Sequence, residues 1–201
     1  LFGQAKNLEE VHELISTYRV TNNSKKALEE VKNYWLQLVD TIQVKTPDLS
    51  MDFMLNQWLM YQTLSCRMWA RSAFYQSGGA YGYRDQLQDA MNMVYPLAKA
   101  TRQQILLHCA HQFVEGDVQH WWHPGAGDKG IRTRFSDDLL WLPYAVAEYI
   151  HNTEDYSILE EEVEFLEEEP LKENEDERYG IPKISEEKAS VYEHCIRAIE
   201  R

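Results

Sequence analysis

Apolar residues recur along most of this chain at the three- and four-residue spacing of a single helix face. In LEEVHELISTY, residues 8–18, Val11, Leu14, Ile15 and Tyr18 share one stripe. A second stripe of Ala27, Val31, Trp35, Leu38 and Ile42 predicts a helix capped at Asn23 or Ser24. It ends before Pro47, because the residue preceding a proline is pushed out of helical geometry. Residues 48–74, DLSMDFMLNQWLMYQTLSCRMWARSAF, predict a long and largely buried helix with Asp48 or Ser50 at its cap. Glycines at 78, 79 and 82 then break the pattern. Helical spacing resumes at Asp85 in LQDAMNMVYPLAKA, continues in TRQQILLHCAHQFVEG and returns in DDLLWLPYAVAEYIHNTED. An acidic helix over 158–169, a polar loop around Pro170 to Pro182 and a last helix over 185–201 complete the expectation. No strand alternation stands out, so the pattern predicts an all-α chain of about eight helices without an internal repeat.

Two breaks in the helical pattern carry polar chemistry. The first, SGGAYGYRDQLQD (77–89), has glycines that let backbone approach a ligand closely, followed by Arg84 and Asp85 at a helix start. Asp85 is either a functional carboxylate or an N-cap with Arg84 as its surface partner. No GK[ST] follows the glycines and no strand precedes them, which excludes a phosphate loop and a dinucleotide fingerprint. The second break, QHWWHPGAGDKGIRTRFSDDLLWLP (119–143), crowds Trp121, Trp122 and Trp141 against His120, His123, Arg132, Arg134 and the Asp137–Asp138 pair. A core takes the rings without the charges and a solvated loop takes the charges without the rings; a sugar site uses both. One acid of the pair is explained as a helix cap and the other is not. A carboxyl crowded by a second carboxylate and by aromatic rings is raised in pKa and suited to general acid work, while a nearby Arg132 or Arg134 opposes the shift. His120 and His123 have no third ligand at helical spacing and Pro124 interrupts the element, so no metal is expected.

Composition narrows the partners. Among 201 residues, 20 basic and 33 acidic side chains give a net charge of −13, which repels a polyanion and argues against nucleic acid. Much of the excess lies in residues 154–177, and the charge run of the expected acidic helix over 158–169 reads as a solvated face. Six Trp and twelve Tyr supply both core and cleft. Cys66, Cys109 and Cys195 are widely separated, without zinc spacing, which fits a reducing compartment. No apolar run approaches the roughly 20 residues that span a bilayer, so no membrane contact and a cytoplasmic location are expected.

Three segments together resemble glycoside hydrolase family 94, the inverting β-glucoside phosphorylases. They are NQWLMYQTLSCRMWARSAFYQSGGAYGYRDQLQDAM, QFVEGDVQHWWHPGAGDKGIRTRFSDDLLWLPYAVAEYI and SVYEHCIRAIER. The resemblance implies part of an (α/α)6 barrel, with residues 1–201 a segment of a longer catalytic domain. It implies a general acid at Asp137, the first Asp of SDD, and sugar contacts at Arg84 and Asp85. It implies an aromatic site residue at Phe135, two before the acid, and Trp121, Trp122 and Arg134 belong to the same expected binding surface. Relatives acting on cellobiose and chitobiose carry an arginine six before the Asp of the RD pair, where this chain has Gly79, or Gly78 with a one-residue shift. That departure points to the β-1,2-glucan branch. The implied co-substrate is inorganic phosphate, with no cofactor, and a homodimer is consistent with the family.

Three functions compete on this reading. The leading one is phosphorolysis of a β-1,2-glucan to α-glucose 1-phosphate, with Asp137 as acid. An inverting hydrolase would add a base such as Glu115 or Asp117, and a non-catalytic segment would only bind glucan. Asp138, one residue further into the helix, is expected to bond backbone or a loop arginine such as Arg132 or Arg134. If both breaks serve one sugar, they lie at the same end of the helices.

Overall fold

The computed structural model describes residues 3–70, 79–124 and 127–201. The fold is not all-α. Among the described residues, eight α-helical segments and shorter π and 3-10 turns are joined by two antiparallel sheets, so the chain is mixed α and β.

The N-terminal part follows the apolar stripes. Helix α1 (Leu8–Tyr18) is capped by Asn7, whose side chain accepts from the Glu10 amide. Helix α2 (Thr21–Val39) begins ahead of the expected caps; Asn23 and Ser24 lie inside its first turn and bond back to the carbonyls of Thr17 and Tyr18. Asp48 caps the next helix as expected, accepting from Ser50 and Met51 amides. That helix alternates α-helical pieces, α3 (Leu49–Phe53) and α4 (Leu59–Gln62), with wider π turns at Met54–Trp58 and Thr63–Met68. It is not largely buried: Leu64 and Met68 face inward, while Phe53, Trp58, Leu59 and Tyr61 stay exposed. The expected continuation over 71–74 falls outside the described residues.

Helices α5 (Tyr83–Met91), α6 (Val94–Cys109), α7 (Trp141–Thr153) and α8 (Val191–Glu200) surround the main core. Leu87, Ile105, Leu142, Ala145 and Val191 meet there around the fully buried ring of Trp122. Burying such side chains removes roughly 1.5–3 kcal/mol worth of apolar surface each from water.

Strands stand where loop was expected in the 119–133 segment and where helix was expected in two others. The segment expected to be a loop forms a hairpin of β2 (Gln119–His123) and β3 (Lys129–Thr133), flanked by β1 (Tyr81–Gly82) and β5 (Glu177–Gly180) in the order β1-β2-β3-β5. The expected acidic helix is instead a short 3-10 turn, Tyr156–Glu160, followed by β4 (Glu162–Glu167). Val163 and Phe165 point inward while Glu162 and Glu164 point out, the alternation of a half-buried strand. The first part of the expected last helix is β6 (Lys183–Ser190), paired with β4, and Ser190 then caps α8 by accepting from the Glu193 amide. Among the described residues no helix is long and apolar enough to cross a membrane.

Candidate active site

The two polar breaks meet through backbone pairing. Tyr81 stands opposite Trp122 and Gly82 opposite Trp121, so β1 delivers the start of α5 to the edge of the β2–β3 hairpin. The sheet, rather than the return of alternating helices, brings them to one end. Arg84 and Asp85 occupy the first turn of α5. Gly82, not Asp85, is the N-cap residue; Asp85 sits three positions on, where an acid suits the positive end of the helix. A Cβ at Gly82 would stand 3.1 Å from an Asp85 carboxylate oxygen, so this approach is tight. Gly79 has φ 69, a backbone region that glycine adopts without strain, whereas Gly78 lies outside the described residues.

Arg84 joins the two breaks. Its Nη1 donates to Asp137 Oδ2 at 2.9 Å and its Nε lies 4.0 Å from Asp85 Oδ1. The guanidinium bond holds the Asp137 carboxyl below the usual carboxylate range, and Asp137 in turn raises Arg84. Arg84, Asp85 and Asp137 therefore form one cluster, with Asp137 about half exposed at 50%.

Strand alternation splits the tryptophans. Trp121 lines a cleft of about 310 Å³ with Arg84, Asp85, His120, His123 and Asp138. Trp122 points to the opposite face, 0% exposed, its ring stacked 3.8 Å from that of His111 and edge-on to Tyr83 and His108. It is core rather than cleft wall. Opposite it, Gly130 leaves no room for a side chain, since a Cβ there would stand 2.3 Å from the Trp121 carbonyl oxygen.

The remaining expected residues part company. Phe135 is exposed and stacks on His120 with centroids 4.6 Å apart, and it also borders a second hollow of about 490 Å³. Arg134 lines that second hollow, and its guanidinium donates to the carbonyls of Leu171, Lys172 and Glu175. Asp138 does not bond Arg132 or Arg134. It is 2% exposed and accepts from His120 Nδ1 at 2.5 Å, and its Oδ1 has no hydrogen-bond partner among the described residues. Arg132 is instead buried between Asp117 and Glu115, at 2.7 and 2.8 Å. Nothing in the linear pattern pointed to His120 as the partner of Asp138, because the two meet across the hairpin. Among the described residues no three His, Cys, Asp or Glu side chains are grouped to hold a metal ion.

Comparison with known proteins identifies the family of these segments. Residues 34–201 match the Glycosyl hydrolase 94 superfamily, catalytic domain. The chain is 44% identical over 198 residues to the cyclic beta-(1,2)-glucan synthase NdvB of Rhizobium meliloti, covering 98% of this chain and 7% of the synthase. It is 28% identical over 210 residues to the N,N'-diacetylchitobiose phosphorylase of Vibrio proteolyticus, covering 91% of this chain and 24% of that enzyme. A solabiose phosphorylase of Paenibacillus borealis is 30% identical over 131 residues, which is 65% of this chain and 16% of the enzyme. The chain thus spans only a small part of the length of these relatives. On the match that covers most of its residues, it belongs to the glycosyl hydrolase 94 superfamily.

Proposed function

We propose that this chain is part of a glycoside phosphorylase acting on β-1,2-linked glucan, and that the cleft between α5 and the β2–β3 hairpin receives the glucosyl unit to be transferred. The observation that carries the reading is the Arg84–Asp137 ion pair, which couples residues 53 apart in sequence at a cleft that Arg84 lines with Asp85 and Trp121. Phosphate attacks the anomeric carbon from one face, and the glycosidic C–O bond breaks on the other. Asp137 gives its proton to the departing oxygen. The products are α-glucose 1-phosphate and a glucan one unit shorter. Because phosphate arrives already anionic, one carboxyl group suffices where an inverting hydrolase needs two.

Charge supports the assignment of sugar rather than phosphate to this cleft. Arg84 faces the carboxylates of Asp85, Asp137 and Asp138, which all act on it. Such a surplus of acceptors suits neutral hydroxyls and opposes a dianion. In the ligand-free state Arg84 keeps Asp137 ionised, the form that takes a proton from an acceptor hydroxyl when the reaction runs toward synthesis. Phosphorolysis uses the protonated Asp137, so the glycosidic oxygen has to take the place of Arg84 at that carboxyl. The hydrolytic alternative is disfavoured because its candidate bases, Glu115 and Asp117, are both engaged by Arg132 and neither lines the cleft. The linkage rests on the 44% identity to a cyclic beta-(1,2)-glucan synthase.

Incubating the intact protein that contains this chain with linear β-1,2-glucan, with and without phosphate, tests the reading. Phosphate-dependent release of α-glucose 1-phosphate is expected. Release of free glucose independent of phosphate would overturn it.

A further inference from the structure

We propose that His120 is a ligand-contacting residue of the cleft, presenting its Nε2 as acceptor to a hydroxyl of the bound sugar, and that Asp138 is the residue that positions it. This deepens the reading of the cleft as a sugar site and rests on it.

The backbone supplies the first reason. Neighbouring residues of a regular strand point to opposite faces, so His120 would follow Trp122 into the core. The register between β2 and β3 shifts at this place: Gln119 pairs with Arg132 and Trp121 with Ile131, which leaves His120 as the extra residue of a bulge. A bulge re-aims a side chain, and here it turns His120 into the cleft beside Trp121 and His123.

The ring is then fixed on two sides. Asp138 Oδ2 accepts from Nδ1 at 2.5 Å, and Phe135 lies nearly parallel to the imidazole, with 15° between the planes. With Nδ1–H committed to a carboxylate, the neutral ring carries its lone pair on Nε2, which bonds no described residue. The acceptor faces a space bounded by Arg84 and Asp85.

Asp138 shows the marks of a positioning residue rather than a structural one. Its carboxylate is buried, and among the described residues its Oδ1 has no partner and its one bond is to His120. Burying a carboxylate oxygen unpaired costs stability, and no wider network at Asp138 offsets that cost. A charge kept there for the fold alone would be replaceable by an apolar group of the same shape. Held against His120, it fixes one tautomer, much as a buried aspartate orients the imidazole in hydrolytic triads.

The test uses sophorose, the β-1,2-linked glucose disaccharide, with calorimetry and with imidazole 15N NMR of the protein. Asparagine places its amide near the Nδ1 position, so His120→Asn keeps a donor for Asp138 but empties the Nε2 position; glutamine reaches the Nε2 position. His120→Asn is expected to fold normally and to bind sophorose about tenfold more weakly, the worth of one well-placed hydrogen bond, with His120→Gln recovering part of the loss. Asp138→Asn is expected to leave the unfolding midpoint unchanged or raise it, to move the His120 proton from Nδ1 to Nε2 in the 15N spectrum, and to weaken binding like His120→Asn. Saturating sophorose is expected to shift the His120 Nε2 resonance in the unsubstituted protein. If sophorose shifts Arg84 but leaves His120 Nε2 unmoved, the inference falls while the sugar-site reading stands. If both His120 variants bind as tightly as the unsubstituted protein, or nothing binds, the inference falls outright, and phosphate-dependent turnover alone then decides the proposed function.

Discussion

Arg132→Met isolates the buried charge cluster behind the hairpin. Arg132 lies on β3 and is 1% exposed. Its Nε and Nη2 fork Asp117 at 2.7 Å each, Nη2 also reaches Glu115 at 2.8 Å, and Nη1 donates to the Glu168 carbonyl at 3.0 Å. The guanidinium carbon lies 3.9 Å from the centre of the Phe113 ring. Methionine fills much of the same stem volume but leaves two carboxylates side by side without their cation. Breaking a buried pair by removing one partner costs about 3–5 kcal/mol. Asp117, with a side chain 12% exposed, recovers little water, but Glu115 at 29% recovers some. Arg201 stands 4.0 Å from Asp117 and compensates part of the charge. The lower end, about 3 kcal/mol, is therefore expected. Urea unfolding at neutral pH, followed by tryptophan fluorescence, reads this as a lower midpoint at unchanged slope. Adding Asp117→Asn and Glu115→Gln to the same variant removes the stranded charges and is expected to restore most of the loss. A single variant within about 1 kcal/mol of the parent, or a triple variant no better than the single, would refute this account.

Three other outcomes follow from the geometry. Gly130→Ala forces a Cβ to within 2.3 Å of the Trp121 carbonyl oxygen; it should destabilise by about 1–3 kcal/mol or more, and sugar binding should weaken with it because Trp121 shifts, whereas unchanged thermal stability would contradict the packing. Arg84 holds the Asp137 pKa down, so Arg84→Met should raise it. In the synthetic direction, which uses the carboxylate, the acid limb of the pH–rate profile should move to higher pH, and a limb that stays or moves lower would count against the pair. His108 is buried and neutral, with Nδ1 donating to the Gln104 carbonyl and its pKa pushed down to about 3. Below about 6.5 the unfolded chain gains a proton that the folded one refuses, so this ring lowers stability by up to about 1.4 kcal/mol per pH unit as pH falls toward 3. His108→Gln should flatten the stability curve between pH 6.5 and 4, and an identical curve would remove the assignment.

Helical stripes were legible because their apolar residues pack on neighbouring helices nearby in sequence, as in α2, α6 and α7. The strands were not. GluValGluPheLeuGlu in β4 alternates, yet Leu159, Val163 and Leu166 also match a helical stripe, and glutamate favours helix. SerGluGluLysAlaSer in β6 has the propensity of a helix start and becomes a strand only by pairing with β4, where Lys188 stands opposite Glu164 and forms an ion pair with Glu162. The β2–β3 hairpin was hidden by its short strands and by the glycines between them. Trp121 and Trp122 look alike in the sequence, and only strand alternation separates one into the cleft and the other into the core. The chemistry of the SDD segment was legible as residue types, while its partners, Arg84 for Asp137 and His120 for Asp138, are set by tertiary contact. The same contacts show why Arg132 and Arg134 are unavailable to the acid pair: carboxylates and backbone carbonyls already hold them.

Asp137→Asn in the intact protein, assayed on two donors, tests the central claim most directly. On β-1,2-glucan the leaving oxygen needs a proton, and phosphorolysis should fall by about 10²–10⁴, the usual worth of a general acid. On 2,4-dinitrophenyl β-glucoside the leaving group departs without one, and phosphate-dependent turnover should be nearly unchanged. Equal losses on both donors, or no loss on glucan, would contradict the assignment of Asp137 as the acid.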